Sequence, residues 1–176
     1  MPVLLAVVGL CVAVLFFVVR ARNAAGVASD LLDMAKDVRL AARRFGFRRR
    51  TDIHPAESIE DPSIAIAGIA NAFLELDDLP TSTQRSALTR AMAETLNLAR
   101  QDADELTILG RWMANECGTS QAAVSRLSRK LVRLAGRESF TPLLTILNAT
   151  LTASSTSINT RQKEALDDVK RAFRIS

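Results

Sequence analysis

Three carboxylates that lie close together in the chain, Glu75, Asp77 and Asp78, are the residues whose types and spacing come nearest to a chemical site. Hard divalent cations bind several oxygen ligands and prefer anionic ones. The sequence offers no further ligand or catalytic group to act together with this set. The aspartates also stand where an apolar helix is expected to stop. Asp77 and Asp78 are therefore only weak candidates for a metal site, and the alternative is that they simply terminate the first helix.

The groups that usually carry catalysis are scattered. His54 is the one histidine of the chain, and it precedes Pro55 in a polar linker. Cys117 has Glu116 as its neighbour, which opposes formation of the thiolate. The seven glycines never cluster into a loop that would cradle a phosphate. We expect no catalysis, no cofactor and no small-molecule substrate.

The positive charge of the chain is concentrated near its N-terminus. The whole chain carries a net charge of +4, and residues 20–50 alone carry +6, so residues 51–176 carry −2. A nucleic-acid-binding domain spreads basic residues over its folded surface and adds aromatic side chains for stacking. This chain has no tyrosine and only 5% aromatic residues. We therefore expect no nucleic-acid partner.

Residues 3–19 form an uninterrupted run of seventeen residues without a charged or strongly polar side chain. That length is the lower limit for crossing a hydrocarbon layer of ~30 Å. A cleaved signal peptide or a buried helix are the alternatives, but only Met1 and Pro2 precede the run, and a signal peptide needs a positive N-terminal region. Residues 1–22 are predicted to be a transmembrane anchor. The positive-inside rule puts the N-terminus outside and the C-terminal domain in the cytoplasm of a bacterial inner membrane.

Residues 23–60 are predicted to form a basic juxtamembrane helix and a linker. Leu31, Val38, Ala42 and Phe45 recur at helical spacing, so an amphipathic helix is expected over residues 31–45, ending at Gly46. Basic residues near anionic headgroups contribute about 1 kcal/mol each, so the segment is expected to face the lipid bilayer or a membrane partner. An ordinary positive-inside flank is the alternative. The basic residues concerned are Arg39, Arg43, Arg44, Arg48, Arg49 and Arg50.

Residues 61–176 are expected to fold as an all-α domain. Asp61 before Pro62, Thr81 or Ser82, and Asn159 before Thr160 have the chemistry of helix starts. Asp102 and Glu105 have capping-box spacing. No segment alternates with period two, so strands are not expected. Six helices are predicted: 62–77, which should occupy the centre of the core, 82–98, 103–116, 120–135, 139–153 and 160–174.

Two surface features favour protein partners. The predicted fourth helix carries a row of basic residues opposite its leucines, which fits either a solvated face or a surface for an acidic partner or the membrane. Trp112 lies beside Arg111, and these two residue types are frequent anchors of interfaces, although a tryptophan at the edge of the core is the simpler interpretation. The basic row consists of Arg126, Arg129, Lys130, Arg133 and, beyond the helix end, Arg137.

The first and last helical pairs have the same layout. In each, an apolar helix leads through a polar turn with one apolar residue, Leu79 or Ile158, into a capped helix that carries Gln84 or Gln162 near its start. We predict that Leu79 and Ile158 plug the core between the two helices of each pair.

On this layout, residues 61–176 resemble the TerB-like family, helical domains named for tellurite resistance and also found in a membrane-anchored DnaJ-like co-chaperone. The resemblance implies a helical bundle and a role for the turn acids in binding cations. This chain departs from the pattern: the second turn has no acid, and Gln84 and Gln162 stand in place of helix glutamates. We therefore expect cation binding to be lost.

The leading functional hypothesis is a non-enzymatic, membrane-anchored interaction module, an accessory subunit of a larger inner-membrane assembly such as a respiratory complex. The alternative is a metal- or tellurite-stress protein of the TerB type that binds cations at the cytoplasmic face of the membrane.

Overall fold

The computed structural model describes residues 35–77, 79–153 and 157–175. The chain divides into two compact units, residues 1–37 and 38–176. Of the first unit only residues 35–37 are described, and they are helical. The predicted anchor at residues 3–19 lies outside the described residues. Among the helices that are described, none combines the length and apolar character needed to cross a bilayer.

All regular secondary structure in the described residues is helical, which confirms the all-α prediction. In the second unit, residues 38–44 form α1. A short 3₁₀ helix, Pro55–Ser58, follows, and a second one, Gly136–Ser139, lies between α5 and α6. The other helices are α2 (Pro62–Leu74), α3 (Ser82–Thr95), α4 (Arg100–Glu116), α5 (Ser120–Ala135), α6 (Phe140–Thr152) and α7 (Thr160–Phe173).

Helix α2 occupies the centre of the core, as its nearly continuous apolar sequence predicts. Asp61 caps it by accepting a 2.8 Å hydrogen bond from the Ser63 amide, and Pro62 supplies the first helical residue. Eleven of its thirteen residues are buried. The one polar side chain deep in this helix, Asn71, donates a 2.8 Å hydrogen bond to the Ala67 carbonyl, which satisfies a group that would otherwise be costly to bury.

Small residues let α2 approach α4 and α5 closely. A Cβ atom added to Gly110 of α4 would lie 2.6 Å from the carbonyl carbon of Ala67 in α2. A Cβ on Gly68 of α2 would lie 2.6 Å from a methyl group of Leu127 in α5. Glycine is thus required at Gly110 by contact with another backbone, whereas at Gly68 a larger residue would have to displace the end of the Leu127 side chain.

The two similar turns use the same capping chemistry. Thr81 and Gln84 form a capping box at the start of α3, and Asn159 and Gln162 form one at the start of α7. Both glutamines are buried, with 2% and 3% of their surface exposed. Asn159 also donates a 2.9 Å hydrogen bond to the Leu76 carbonyl just beyond α2, so the two turns are in direct contact.

The two turn residues that were predicted to fill the core, Leu79 and Ile158, differ in their burial. Ile158 packs against the core, as predicted. Leu79 is 83% exposed, so the prediction for this residue was wrong. Helix α2 ends at Leu74 and not near residue 77, and Leu76 takes the buried position in the turn. The chain then leaves the core before it reaches Leu79.

Residues 38–60, which we name the arm, belong to the same compact unit as the helices that follow. Ala41, Ala56 and Ile59 are fully buried, and Phe47 is 9% exposed. The compact unit therefore begins at Val38, whereas the sequence analysis placed the start of the folded domain at residue 61.

Candidate functional site

The side chain of Asp77 is engaged within its own turn. One carboxylate oxygen accepts a 2.8 Å hydrogen bond from Nε2 of Gln84, and the other lies 3.4 Å from the amide nitrogen of Leu79. Glu75 forms a 2.8 Å ion pair with Arg85. Asp78 lies outside the described residues. In the part of the chain that the structure describes, no three histidine, cysteine or acidic side chains come together as a metal cage. Asp77 fixes the turn and holds the buried Gln84.

The last residue of α1, Arg44, binds the first turns of α4. Its guanidinium pairs with the carboxylate of Asp102 and, at 3.2 Å, with that of Glu105. These are the two residues predicted to cap a helix at residue 103. Helix α4 instead starts at Arg100, and Ala99 at its N-cap offers no side-chain hydrogen bond. The predicted capping box was wrong because Asp102 lies inside α4 and not before it; its carboxylate and that of Glu105 pair with Arg44 of the arm.

Trp112 of α4 is half-buried beneath the arm. Phe47 meets its ring edge-on, with centroids 5.7 Å apart. The guanidinium of Arg49 lies 5.8 Å from the centre of the same ring and pairs at 3.4 Å with Glu116. A cation held over an aromatic face and against a carboxylate is attracted by both. Trp112 therefore anchors the arm within this chain.

The remaining basic residues of the arm point to solvent. Arg39, Arg43 and Arg48 are exposed. Leu40, between the first two of them, is also exposed at 59% of its surface. Arg50 pairs with Asp52 at 2.9 Å, and this hydrogen bond lowers the pKa of the Asp52 carboxyl. The six arginines predicted as one membrane- or partner-facing group are thus divided between internal pairs and free surface.

His54 has a structural role at the 3₁₀ helix Pro55–Ser58. Its Nδ1 accepts a 3.1 Å hydrogen bond from the amide of Ala56. The proton therefore resides on Nε2, which donates at 3.1 Å to the carbonyl of Glu116. Next to it, burial raises the pKa of the Cys117 thiol, with Glu116 and Glu57 adding to the effect and Arg126 opposing it. A thiol of raised pKa is a poor nucleophile at neutral pH.

The basic row of α5 also divides into two groups. Nζ of Lys130 donates a 2.8 Å hydrogen bond to the Glu57 carbonyl, and Arg133 pairs with the Glu57 carboxylate at 2.6 Å. These two residues hold the arm. Arg137 donates a 2.8 Å hydrogen bond to the Arg174 carbonyl. Arg126 and Arg129 make no ion pair with any residue that the structure describes, which leaves their charges available.

A surface groove of about 250 Å³ lies between α5 and α7 at Arg129. Arg171 and Asp168 of α7 line it together with Ser125 and Arg129 of α5. Asp168 accepts hydrogen bonds from Arg171 at 2.7 Å and from Gln121 at 2.6 Å, and Arg129 donates to the Ser125 hydroxyl at 3.2 Å. Sequence reasoning missed Arg171 and Arg174 because their proximity to α5 depends on how α7 packs, and no local pattern reveals it.

A larger cleft of about 380 Å³ separates α3 and α4. Its charged lining is mixed: Arg85, Arg90 and Arg100 face Glu94 and Asp104. Since Arg85 already pairs with Glu75, the cleft offers little net charge to a ligand.

Charge is distributed unevenly along the folded chain. Residues 51–119 contain twelve acidic and four basic side chains, whereas residues 120–176 contain four acidic and ten basic ones. Helix α5 has four basic residues and no acid. Arg44 and Arg49 of the arm pair with acids of the first half, whereas Arg126 and Arg129 of α5 have no such partner among the described residues. Comparison of the chain with family models, curated proteins and solved structures yields no match.

Proposed function

We propose that this chain is a non-enzymatic, membrane-anchored helical adaptor that acts as an accessory subunit of a larger bacterial inner-membrane assembly, such as a respiratory complex. The observation that carries the proposal is the packing of the arm. Because the arm is packed, the folded unit begins at Val38, a short distance in sequence after the seventeen-residue apolar run at residues 3–19. An anchor of that kind holds the folded unit at the membrane surface, where it meets membrane partners.

The exposed part of the arm supports the same proposal. Arg39, Arg43 and Arg48 are exposed, and Leu40 lies among them with most of its surface in solvent. A basic face that includes an apolar side chain suits the boundary between headgroups and acyl chains. In this proposal the N-terminus lies outside, and the folded unit lies in the cytoplasm beside the bilayer.

A TerB-like origin is part of the proposal and rests on the paired capping boxes of α3 and α7. A cation-binding function of the TerB type is not supported by the geometry of Asp77, because both of its oxygens already face donors from the first turn.

The experiment uses the full chain with a C-terminal affinity tag in its native membranes. After alkaline carbonate washing, the full chain should stay with the membrane, and a variant lacking residues 1–22 should be released. After solubilisation in a mild detergent, a reproducible set of companion subunits should co-purify with the full chain. A chain that migrates alone at its own mass, without stoichiometric companions, contradicts the adaptor function.

A further inference from the structure

We propose that the groove between α5 and α7, together with the neighbouring arginines, is the docking site for an acidic segment of a partner protein. The inference rests on the adaptor function proposed above and names the surface and the chemistry of the partner. In this site Arg129 and Arg171 receive a carboxylate, and two further exposed arginines, Arg137 and Arg174, lie just beyond the ends of α5 and α7.

The site is built from both helices. Arg129 and Arg171 come from different helices and line the same groove. The carboxylate of Asp168 accepts hydrogen bonds from Arg171 and Gln121, so it orients the Arg171 guanidinium and leaves Arg129 without an ion pair. A planar guanidinium already fixed by one carboxylate retains further N–H donors, which suits binding of a second acidic group.

Asp168 is the one acidic residue among the side chains that line the groove, against two arginines. The acids that compensate other basic residues of the chain are committed elsewhere: Glu57 to Arg133, Glu116 to Arg49, and Asp102 to Arg44. With two arginines against one aspartate, the groove keeps a net positive charge, which an acidic partner complements.

The surroundings favour a protein over a lipid surface. Headgroup binding by a helix combines basic residues with large apolar side chains that enter the interface. The exposed large hydrophobic residues in the described part of the chain are Leu40, Ile53 and Leu79, and none lies on α5 or α7. No aromatic side chain lines the groove to stack on a nucleic-acid base.

The test compares two variants of equal charge change in the full chain, reconstituted in nanodiscs of neutral lipid. The first carries Arg129→Gln and Arg171→Gln in the groove. The matched control carries Arg90→Gln and Arg111→Gln, which are exposed arginines of α3 and α4. The probe is a synthetic peptide of alternating glutamate and alanine, and binding is measured by titration calorimetry.

We expect the wild type and the control to bind the peptide with the same affinity, and the groove variant to bind at least tenfold more weakly. Binding should also weaken as salt is raised from about 50 mM to about 300 mM, because exposed charges are screened. Absence of binding by the wild type, or equal loss in both variants, overturns the proposal. Stronger binding to vesicles of phosphatidylglycerol than to the peptide, lost in the groove variant, assigns the site to lipid and also overturns it.

Co-purification separates this inference from the function on which it rests. If companion subunits are lost with the groove variant and retained with the control, both proposals are supported. If the groove variant keeps its companions unchanged, the adaptor function stands and the docking site is wrong. If the wild type has no companions, the adaptor function fails, whatever the peptide does.

Discussion

Ser128 of α5 carries a buried hydroxyl that makes no hydrogen bond to any group described in the structure. A buried polar group without a partner costs about 1–3 kcal/mol. Ser128→Ala removes that group and adds helix propensity, so the free energy of unfolding should rise by about 1 kcal/mol. The measurement is the urea midpoint of the full chain in mild detergent, followed by circular dichroism.

Ser86→Ala is the control for Ser128→Ala. Ser86 is exposed on α3, so its replacement reports the gain in helix propensity alone. The rise for Ser128→Ala should exceed the rise for Ser86→Ala. A lower midpoint for Ser128→Ala would mean that the hydroxyl is satisfied in solution and would contradict the argument.

Single residues also show which interactions can be predicted from the sequence. Asp61 and Asn159 were recognised as caps because a cap bonds to amides two or three residues away. Asp102 was assigned wrongly because its partner, Arg44, is 58 residues distant in the chain. Capping interactions between residues close in sequence could therefore be predicted, whereas ion pairs between residues distant in sequence could not.

At the scale of helices, the crossing of α2 and α4 depends on Gly110. Gly110→Ala places a methyl group against the backbone and Cβ of Ala67, which cannot move without shifting α2. Overpacking of this kind costs about 1–3 kcal/mol, and we expect a loss near the upper end of that range. Urea unfolding of the full chain measures it.

Gly68→Ala provides a graded comparison. The added methyl group meets a terminal methyl of Leu127, which has other rotamers available, so the loss should be smaller than for Gly110→Ala. Asn115→Ala, an exposed change on α4, should be nearly neutral. Equal losses at Gly68 and Gly110 would show that backbone contact is not what limits the crossing.

The helices also differ in how well the sequence predicted them. The observed bounds of α5 are the predicted ones, because Thr119 caps its start and Gly136, with a φ of +63°, ends it. Helix α2 is shorter than predicted, since the continuation of its apolar pattern through Leu76 belongs to the turn. Only one side of the candidate groove could be predicted from the sequence. The arginines of α5 follow from helical spacing, whereas Arg171 lies near them only because of tertiary packing.

At the scale of the whole molecule, the arm should behave as part of the folded unit. Phe47→Ala removes a buried ring that packs on Trp112 and should cost about 3 kcal/mol. Hydrogen exchange of the full chain, read by mass spectrometry, should then show faster exchange across residues 45–60. The helices α2 and α5 should remain protected.

Two charge variants test whether the arginines of the arm divide as described. Arg44→Gln with Arg49→Gln should raise exchange in the arm modestly, since partly exposed ion pairs contribute at most about 1 kcal/mol each. Arg39→Gln with Arg43→Gln makes the same change of charge at exposed positions and should leave exchange unchanged. Similar exchange in both variants would contradict the division.

Because the arm packs on Trp112, tryptophan fluorescence should report whether the arm is docked. The chain has one tryptophan and no tyrosine, so its ultraviolet emission comes from a single indole in each molecule. That indole lies under Phe47 and Arg49 while the arm is docked. When the arm lifts, water reaches the ring, the emission maximum moves to longer wavelength, and dissolved iodide quenches it. The unlabelled chain, purified in a detergent micelle, thus reports whether its arm is closed.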